Sequence, residues 1–333
     1  TVDQPTATNV VWFVGDTNRV INWTSVGGFS PLDIHFSTNG GTGGGGTYEV
    51  ADFITAATNC TPGGDNTCTG QASWSPIPDR IGAQVKVRVR GQGSESDVLD
   101  ESDNNFKILG KLDVISPESA SDIWYVGETF RQIIWNSTGT ITNVKVGYKT
   151  AAGGNCTWIT TNDGNHDSGQ NTYNWTTGVA DEKTETAYIC LADVNFPGAS
   201  ETLVFSDAAF KIRPKVTVTA PVGGTRLIVG SDYPNAIKWS VTGTQTTQVE
   251  VRYSLNSGVD GYPPTQVIDT LVPVGNGTAG IAWNDIPDSI SNNVMIKVFD
   301  VNSNVVSGVS AATFKIVGSV SNVQISNVAD TQN

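Results

Sequence analysis

One phrase occurs three times in this chain of 333 residues, and the repetition constrains the fold more than any other feature. The phrase reads "RVINWTSVGGFSPLDIHFST" from Arg19, "QIIWNSTGTITNVKVGYKT" from Gln132 and "AIKWSVTGTQTTQVEVRYSL" from Ala236. In each copy an isoleucine stands two residues before a tryptophan, the spacing at which two side chains share one face of a β-strand. We therefore expect three such pairs in a hydrophobic core: Ile21 and Trp23, Ile133 and Trp135, and Ile237 and Trp239.

The period of the repeat sets the size of the folding unit. Phe-Lys-Ile occurs at 106–108, 210–212 and 314–316, at intervals of 104 residues, and a second tryptophan series follows the first at Trp74, Trp175 and Trp283. A unit of roughly 105 residues has the size of one β-sandwich domain. We predict domains at 1–110, 111–214 and 215–318, followed by a strand segment at 319–333.

The order of elements within each unit predicts the fold class. The Ile-x-Trp strand is followed by an alternating strand, a variable polar loop, the second tryptophan, an "IPD"-like turn in the first and third units, a long alternating strand and Phe-Lys-Ile. About seven short strands separated by turns rich in Gly, Asn, Asp and Pro, with no helical period, are typical of an immunoglobulin-like sandwich. The chain is predicted to be all-β, with three tandem immunoglobulin-like domains and a C-terminal strand that starts or completes another domain.

These landmarks resemble a family of extracellular immunoglobulin-like domains, found as tandem repeats in large bacterial surface proteins and in fungal Ser/Thr-rich, GPI-anchored cell-wall proteins. The residues that carry the resemblance lie mainly in the second and third units: Pro117, Gly127, Ile133, Trp135, Tyr148, Trp175, Ser206, Asp207, Phe210 and Ile212, then Pro221, Gly230, Ile237, Trp239, Tyr253, Ser254, Trp283, Pro287, Asp300 and Phe314. The first unit departs from the pattern with Phe36 in place of tyrosine. The resemblance implies an extracellular sandwich and offers no catalytic residue.

The two ends of the chain suggest how it extends. "TVDQP" at 1–5 aligns with "DVISP" at 113–117 and "TVTAP" at 217–221, so we expect the first unit to begin partway along its first strand. The tail "SVSNVQISNVADTQN" from Ser319 resembles the opening of another unit. Two interpretations fit: the chain is a piece of a longer array, or Val323, Ile325 and Val328 form a strand that completes the first domain of the next copy.

Short linkers predict a rod. Only "ILGKL" (108–112) and "IRPKV" (212–216) separate the last strand of one unit from the first strand of the next. Short joints restrict domain rotation, and Pro214 stiffens one of them further.

The cysteines indicate an oxidising compartment. Cys60 and Cys68 lie in the first unit, and Cys156 and Cys190 lie in the second. Two disulfides within domains are the preferred interpretation, over free thiols or a metal site, and they predict an extracellular location. Six Asn-x-Ser/Thr sequons are candidates for glycosylation, although a chain rich in these residues carries about that many by chance: Asn22, Asn59, Asn136, Asn155, Asn174 and Asn276.

The charge and the lack of catalytic motifs exclude several functions. A net charge of −13 argues against nucleic-acid partners, and no apolar run is long enough for a membrane span. We expect no cofactor; "NDGNHDSG" from Asn162 has oxygen ligands suited to Ca²⁺ but lacks EF-hand spacing, which favours a solvated turn. The two histidines, His35 and His166, lie in different units without a catalytic motif, so we predict that the chain is not an enzyme.

Paired aromatic residues indicate an interface. Trp12-Phe13 and Trp124-Tyr125 place neighbouring rings on opposite faces of a strand, so one ring of each pair should point away from its own core. Recurrence at the same position favours packing against a neighbouring domain or subunit over sugar stacking, for which Trp158 is the better candidate.

Together these features predict a structural protein of an extracellular filament, which assembles with itself head to tail or in a longer tandem array. The alternative is an adhesin or a carbohydrate-binding stalk with cell-surface or matrix glycans as partners.

Overall fold

A computed structural model describes residues 1–27, 31–41, 48–56, 59–60, 66–161, 163, 168–196 and 200–320, of which 50–56, 59, 60, 95 and 200 are described by their backbone alone. The chain forms two compact units. The first consists of Thr1–Asp122, Gln132–Trp175 and Thr186–Phe210, and the second of Ile123–Arg131, Thr176–Glu185 and the chain from Lys211 onward. The middle repeat therefore contributes strands to both units.

The first repeat lies entirely in the first unit. Its strands are β1 (Val2–Gln4), β2 (Val11–Phe13), β3 (Arg19–Val26), β4 (Leu32–Ser37), β5 (Glu49–Ala56), β6 (Asn59–Cys60), β7 (Thr67–Trp74), β8 (Gly82–Gly91), β9 (Leu99–Glu101) and β10 (Phe106–Leu109). They form two sheets, with strand orders β1-β3-β7-β6 and β2-β10-β8-β4-β5, and β9 pairs with the edge of β8. Strand β2 runs parallel to β10, whereas the other pairs of this repeat are antiparallel.

The second repeat has the same succession of strands. They are β11 (Lys111–Ser116), β12 (Ile123–Tyr125), β13 (Arg131–Thr138), β14 (Val144–Lys149), β15 (Thr157–Thr160), β16 (Gly169–Trp175), β17 (Thr184–Asp193), β18 (Leu203–Phe205) and β19 (Phe210–Arg213). In the first unit β11 pairs with β13, and β14 lies between β15 and β17. In the second unit β12 runs parallel to β19, as β2 does to β10.

The third repeat lies entirely in the second unit. Its strands are β20 (Lys215–Ala220), β21 (Arg226–Ile228), β22 (Tyr233–Thr242), β23 (Gln248–Ser254), β24 (Val267–Pro273), β25 (Ile281–Trp283), β26 (Ser291–Asp300), β27 (Ser303–Val309) and β28 (Phe314–Val317). The sheets are β20-β22-β25 and β21-β28-β26-β23-β24, and β27 pairs with β26. A four-residue helix, α1 (Asn276–Ala279), precedes β25, at a place where the sequence predicts no helix.

The cores form where the repeat predicts them. The three Ile-x-Trp pairs are at most 3% exposed, and Trp74, Trp175 and Trp283 are at most 5% exposed. Phe106, Phe210 and Phe314 are also buried, each on the last strand of its repeat. The alternation of buried and exposed residues along β13 and β22 follows from the two-residue period of a strand. The chain is therefore an all-β protein of tandem immunoglobulin-like sandwiches.

Candidate assembly surfaces

The turn after β7 binds the beginning of the second repeat. Ile77 is buried, and Asp79, two residues later, is exposed. The Asp79 carboxylate accepts hydrogen bonds from the backbone N–H of Thr140 at 2.9 Å and from its hydroxyl at 2.8 Å. Thr140 lies in the turn after β13, so two bonds to one carboxylate fix that turn against the first repeat.

A glycine allows this turn to approach closely. Gly139 has φ +86°, and a Cβ atom on it would lie 2.9 Å from Cγ2 of Val14 and 3.2 Å from Oδ1 of Asp79. Any side chain here would be strained by the backbone conformation and would collide with Val14. Val14 is only 7% exposed.

A charged cluster lies beside the glycine-containing turn at 138–140. Lys111, the first residue of β11, donates a hydrogen bond to Asp16 Oδ1 at 2.7 Å, and Arg19 binds the other oxygen. Burial favours the neutral carboxyl, but the bonds from Lys111 and Arg19 outweigh this effect and lower the pKa of Asp16 to about 2. The Lys111 ammonium also lies 5.5 Å from the centre of the Phe13 ring.

The second unit contains the same arrangement between the second and third repeats. Asp181 accepts hydrogen bonds from the backbone N–H of Thr244 at 2.9 and 3.0 Å and from its hydroxyl at 2.7 Å. Gly243 has φ +101°, and a Cβ atom on it would lie 2.9 Å from Asp181 Oδ1 and 3.3 Å from the Val126 methyl groups. The Lys215 ammonium lies 5.7 Å from the Tyr125 ring.

An ion pair with a buried carboxylate also crosses this joint between the second and third repeats. Lys183 donates to Oδ2 of Asp300 at 2.9 Å, and the hydroxyl of Thr246 donates to the same oxygen at 2.7 Å. The Asp300 side chain is fully buried. Burial opposes its ionisation, but the bonds from Lys183 and Thr246 prevail and hold its pKa below the usual value.

Each pair of predicted interface aromatics has one ring in its own core and one ring at the joint. Trp12 belongs to the core of the first repeat, where its ring centre lies 4.7 Å from that of Phe106, and Trp124 is also only 5% exposed. Phe13 and Tyr125 are half-buried beside Lys111 and Lys215. Because successive side chains on a strand point to opposite faces, the neighbouring rings of Phe13 and Tyr125 lie at the joints.

The second repeat holds the predicted disulfide between Cys156 and Cys190. It ties the loop before β15 to β17. In the first repeat Cys68 is disulfide-bonded and lies opposite Cys60 across β6 and β7, although the Cys60 side chain is outside the described part of the structure.

The remaining predicted sites are only partly described. Asn136, Asn155, Asn174 and Asn276 are exposed, Asn22 is half-buried and donates to Gln4, and the Asn59 side chain is outside the described part. Val323, Ile325, Val328 and most of the 162–169 segment, with His166, also lie outside it. The described residues hold no group of three or more His, Cys, Asp or Glu arranged for a metal ion, and no helix among them could cross a membrane.

Sequence reasoning did not identify the Asp-to-turn contacts, although their signals were present. The "IPD" turn supplies Asp79, "VAD" supplies Asp181, and "TGT" occurs at 138–140 and 242–244. A single sequence does not reveal that these two motifs, far apart in the chain, meet in space.

No protein-family model matches the chain, and no curated protein matches its sequence. Its backbone resembles titin domains I67–I69 (11% identity, 96% of this chain and 98% of that one, TM-score 0.26) and the three N-terminal domains of the bacteriophage RB49 Highly Immunogenic Outer Capsid protein (11%, 93% and 96%, TM-score 0.25). It also resembles fibronectin(III)-like modules of Clostridium thermocellum CbhA (13%, 65% and 97%, TM-score 0.21). Likeness at this level carries no argument about function.

Proposed function

We propose that this chain is a structural segment of an extracellular surface filament. The observation that supports it best is the recurrence of one contact at both joints, in which an aspartate binds a glycine-containing turn of the next repeat. A chain that only displayed independent domains would have no need for such contacts at both joints. Joints closed by hydrogen bonds, close packing and ion pairs transmit load between domains.

The linkers and the disulfide are consistent with this role. One residue, Gly110, separates β10 from β11, and one residue, Pro214, separates β19 from β20. Such short connections leave little freedom for rotation. The Cys156–Cys190 bond favours an oxidising environment outside the cell.

In this proposal copies assemble head to tail, and residues 319–333 add a strand to the next copy or continue into a further repeat. The strand residues would be Val323, Ile325 and Val328. Partner chains of the same kind fit a net charge of −13 better than nucleic acid does.

An adhesive or glycan-binding stalk is the competing function. Its best candidate, Trp158, lies half-buried on the edge strand β15, and a Cβ atom on Gly147 would lie 2.9 Å from Cε3 of its ring. Lys145 lies 5.6 Å from the ring centre on the neighbouring strand. A ring packed against its own sheet favours a structural role for Trp158.

Negative-stain microscopy of the 333-residue protein and of a form ending at residue 318 tests the filament. We expect fibres from the full chain and separate particles from the shortened form. Separate particles from both, together with binding to immobilised glycans, would favour the stalk.

A further inference from the structure

The first and third repeats each present one half of a joint that is complete elsewhere in the chain. The first-repeat face consists of Val26, Gly27 and the cleft beside Trp23. The third-repeat face consists of Val229, Gly230, Asp288, Ile290 and Val320. Each face can be compared with the equivalent surface at the two internal joints, where one repeat packs against the next.

The turn of the first-repeat face matches the turns that dock inside the chain. Val26 stands where Thr138 and Thr242 stand, and Gly27 has φ +86°, close to the values of Gly139 and Gly243. The Thr138 and Thr242 methyl groups lie 3.5 and 3.3 Å from where a Cβ on Gly15 or Gly127 would be. Valine has the shape of threonine, so it retains that methyl group. Val26 is 75% exposed, and nothing lies within 4 Å of a Cβ on Gly27.

The first-repeat face also contains a cleft of mixed lining. Its apolar wall consists of Trp23, Leu32, Val89, Val98 and Leu99, whereas Thr1, Ser25 and Asp100 are among its polar residues. In the other two repeats, the residues paired with the equivalents of Ser25 are Leu112 and Val216, which are 8% and 6% exposed. The cleft lies beside Ser25, whose equivalents in the other repeats pair with Leu112 and Val216.

The third-repeat face carries a side chain in the matching position. Val320 follows Ile316 by four residues, as Leu112 follows Ile108 and Val216 follows Ile212, but Val320 is 88% exposed. Ile290 is 67% exposed.

The turn of this face that is equivalent to the Asp79 and Asp181 turns also binds no neighbouring repeat among the described residues. Asp288 occupies the position of Asp79 and Asp181, and its carboxylate has no hydrogen-bond or ion-pair partner among the described residues. Val229 is half-buried, whereas its counterparts Val14 and Val126 are 7% exposed.

We propose that these two faces join one copy of the chain to the next through a contact that reproduces the internal joints. Val26 and Gly27 of one copy pack on Val229 and Gly230 of its neighbour, and the neighbour's Val320 enters the cleft beside Trp23. This inference rests on the proposed filament and identifies its contact surfaces.

A second copy is the partner that these faces fit, because one chain carries both halves and each exposes large apolar side chains: Val26 and Leu99 on one, Ile290 and Val320 on the other. The residue after Gly27 is glycine, so this contact lacks the hydroxyl that Thr140 and Thr244 donate. It also joins separate chains, without the covalent linker of the internal joints. We therefore expect reversible, concentration-dependent association. Because the chain carries a charge of −13, association should strengthen as salt screens repulsion between copies.

Complementary variants test the polarity of the contact. The double variant Val26→Glu with Leu99→Glu blocks the first-repeat face, and the double variant Val320→Asp with Ile290→Glu blocks the third-repeat face. All four residues are exposed, so both variants should fold. Circular dichroism checks that they do. Analytical ultracentrifugation of residues 1–320, at about 0.15 M salt, keeps Val320 and excludes any contribution from residues 321–333. The matched control is Val259→Asp, since Val259 is 85% exposed but lies outside both faces.

We expect the unmodified and control proteins to form oligomers that grow with concentration, and each blocked variant to lose them. A mixture of the two blocked variants should form a dimer that grows no further, because one open face of each kind remains. Oligomers that persist in each blocked variant alone, or residues 1–320 that stay monomeric throughout, would overturn the proposal. If either of these results is found but the full-length protein still forms fibres, the proposed filament holds and only this contact is wrong. If the full-length protein forms no fibres, the proposed filament is wrong as well.

Discussion

At the scale of single residues, one buried serine recurs in each repeat. Ser102, Ser206 and Ser310 are at most 3% exposed, and each exchanges two hydrogen bonds with the backbone of the neighbouring long strand. In the third repeat the Ser310 hydroxyl accepts from the N–H of Ile296 at 3.1 Å, and the Ser310 N–H donates to the Ile296 carbonyl at 2.9 Å. The hydroxyl thus satisfies a buried backbone donor.

Ser310→Ala should therefore lower the free energy of unfolding by roughly 1–3 kcal/mol, because it leaves the Ile296 N–H buried without a partner. Urea denaturation measures the change. The exposed Ser240→Ala on β22 is the control and should shift stability by less than about 0.5 kcal/mol. Equal effects of both substitutions would show that the buried bond does not matter.

The Asp16 carboxyl should make stability depend on pH in acid. Its folded pKa of about 2 lies below the ordinary value of 3.8. A lowered folded pKa stabilises the protein above the ordinary value and loses that contribution as pH falls through the folded value. Wild type should exceed Asp16→Asn in Tm above pH 4, and the difference should vanish towards pH 2. Asp97→Asn, an exposed site, provides the comparison; a constant Tm difference for Asp16→Asn across this range would exclude the linkage.

Residue periodicity explains why the core was predictable and the joints were not. The Ile-x-Trp spacing determines which side of a strand faces inward, so Trp135 and Trp239 could be placed from the sequence. Whether Asp181 caps its own turn or binds Thr244 depends on how two repeats meet, which no local pattern specifies. The sequence did not show which way Trp12 points, because a strand of three residues is too short to display an alternation of apolar and polar residues.

At the scale of elements, each joint is a turn held by one carboxylate. Asp181→Ala removes both acceptor oxygens of Thr244, so the Thr244 amide should exchange with solvent roughly fivefold to tenfold faster, the effect of about 1 to 1.4 kcal/mol. Hydrogen exchange read at single amides measures it. Asp288→Ala, at the equivalent position of the third repeat, should leave exchange at Thr244 unchanged. Unaltered exchange in Asp181→Ala would mean that other contacts hold the turn.

The disulfide of the second repeat joins the loop before β15 to β17, and these two strands lie on either side of β14 in one sheet. Cys156 and Cys190 are 34 residues apart. Closing a loop of that length restricts the unfolded chain and stabilises the fold by about 3–4 kcal/mol in the loop-entropy treatment. Replacing both cysteines by alanine should lower the stability of the second repeat by about that amount in urea, while the signals of the third repeat keep their midpoint. An unchanged midpoint for the second repeat would contradict the entropic role.

At the scale of the whole molecule, the repeat predicted the architecture because every repeat buries the same pattern of apolar residues. Three copies of one pattern left little choice of fold class, and the strand succession follows it. The helix α1 escaped prediction because four residues cannot display a helical period. The open faces of the first and third repeats became recognisable only by comparison with the occupied joints.

The domain boundaries remain a prediction, and mechanical unfolding can test them. If each repeat unfolds as one unit, stretching the chain should release segments of about 104 residues, the interval between Phe210 and Phe314. At about 3.5 Å per extended residue, each event should lengthen the tether by roughly 36 nm, less the size of the folded domain.

The disulfide provides an internal marker for the second repeat. While Cys156 and Cys190 are joined, their 34-residue segment cannot extend, so that repeat should release roughly 12 nm less. Reduction should restore the full length in that event and leave the length of the third repeat unchanged, since the third repeat contains no cysteine. Two releases instead of three would show that neighbouring repeats unfold together, and the contacts of Asp79 and Asp181 would then unite the domains mechanically as well as position them.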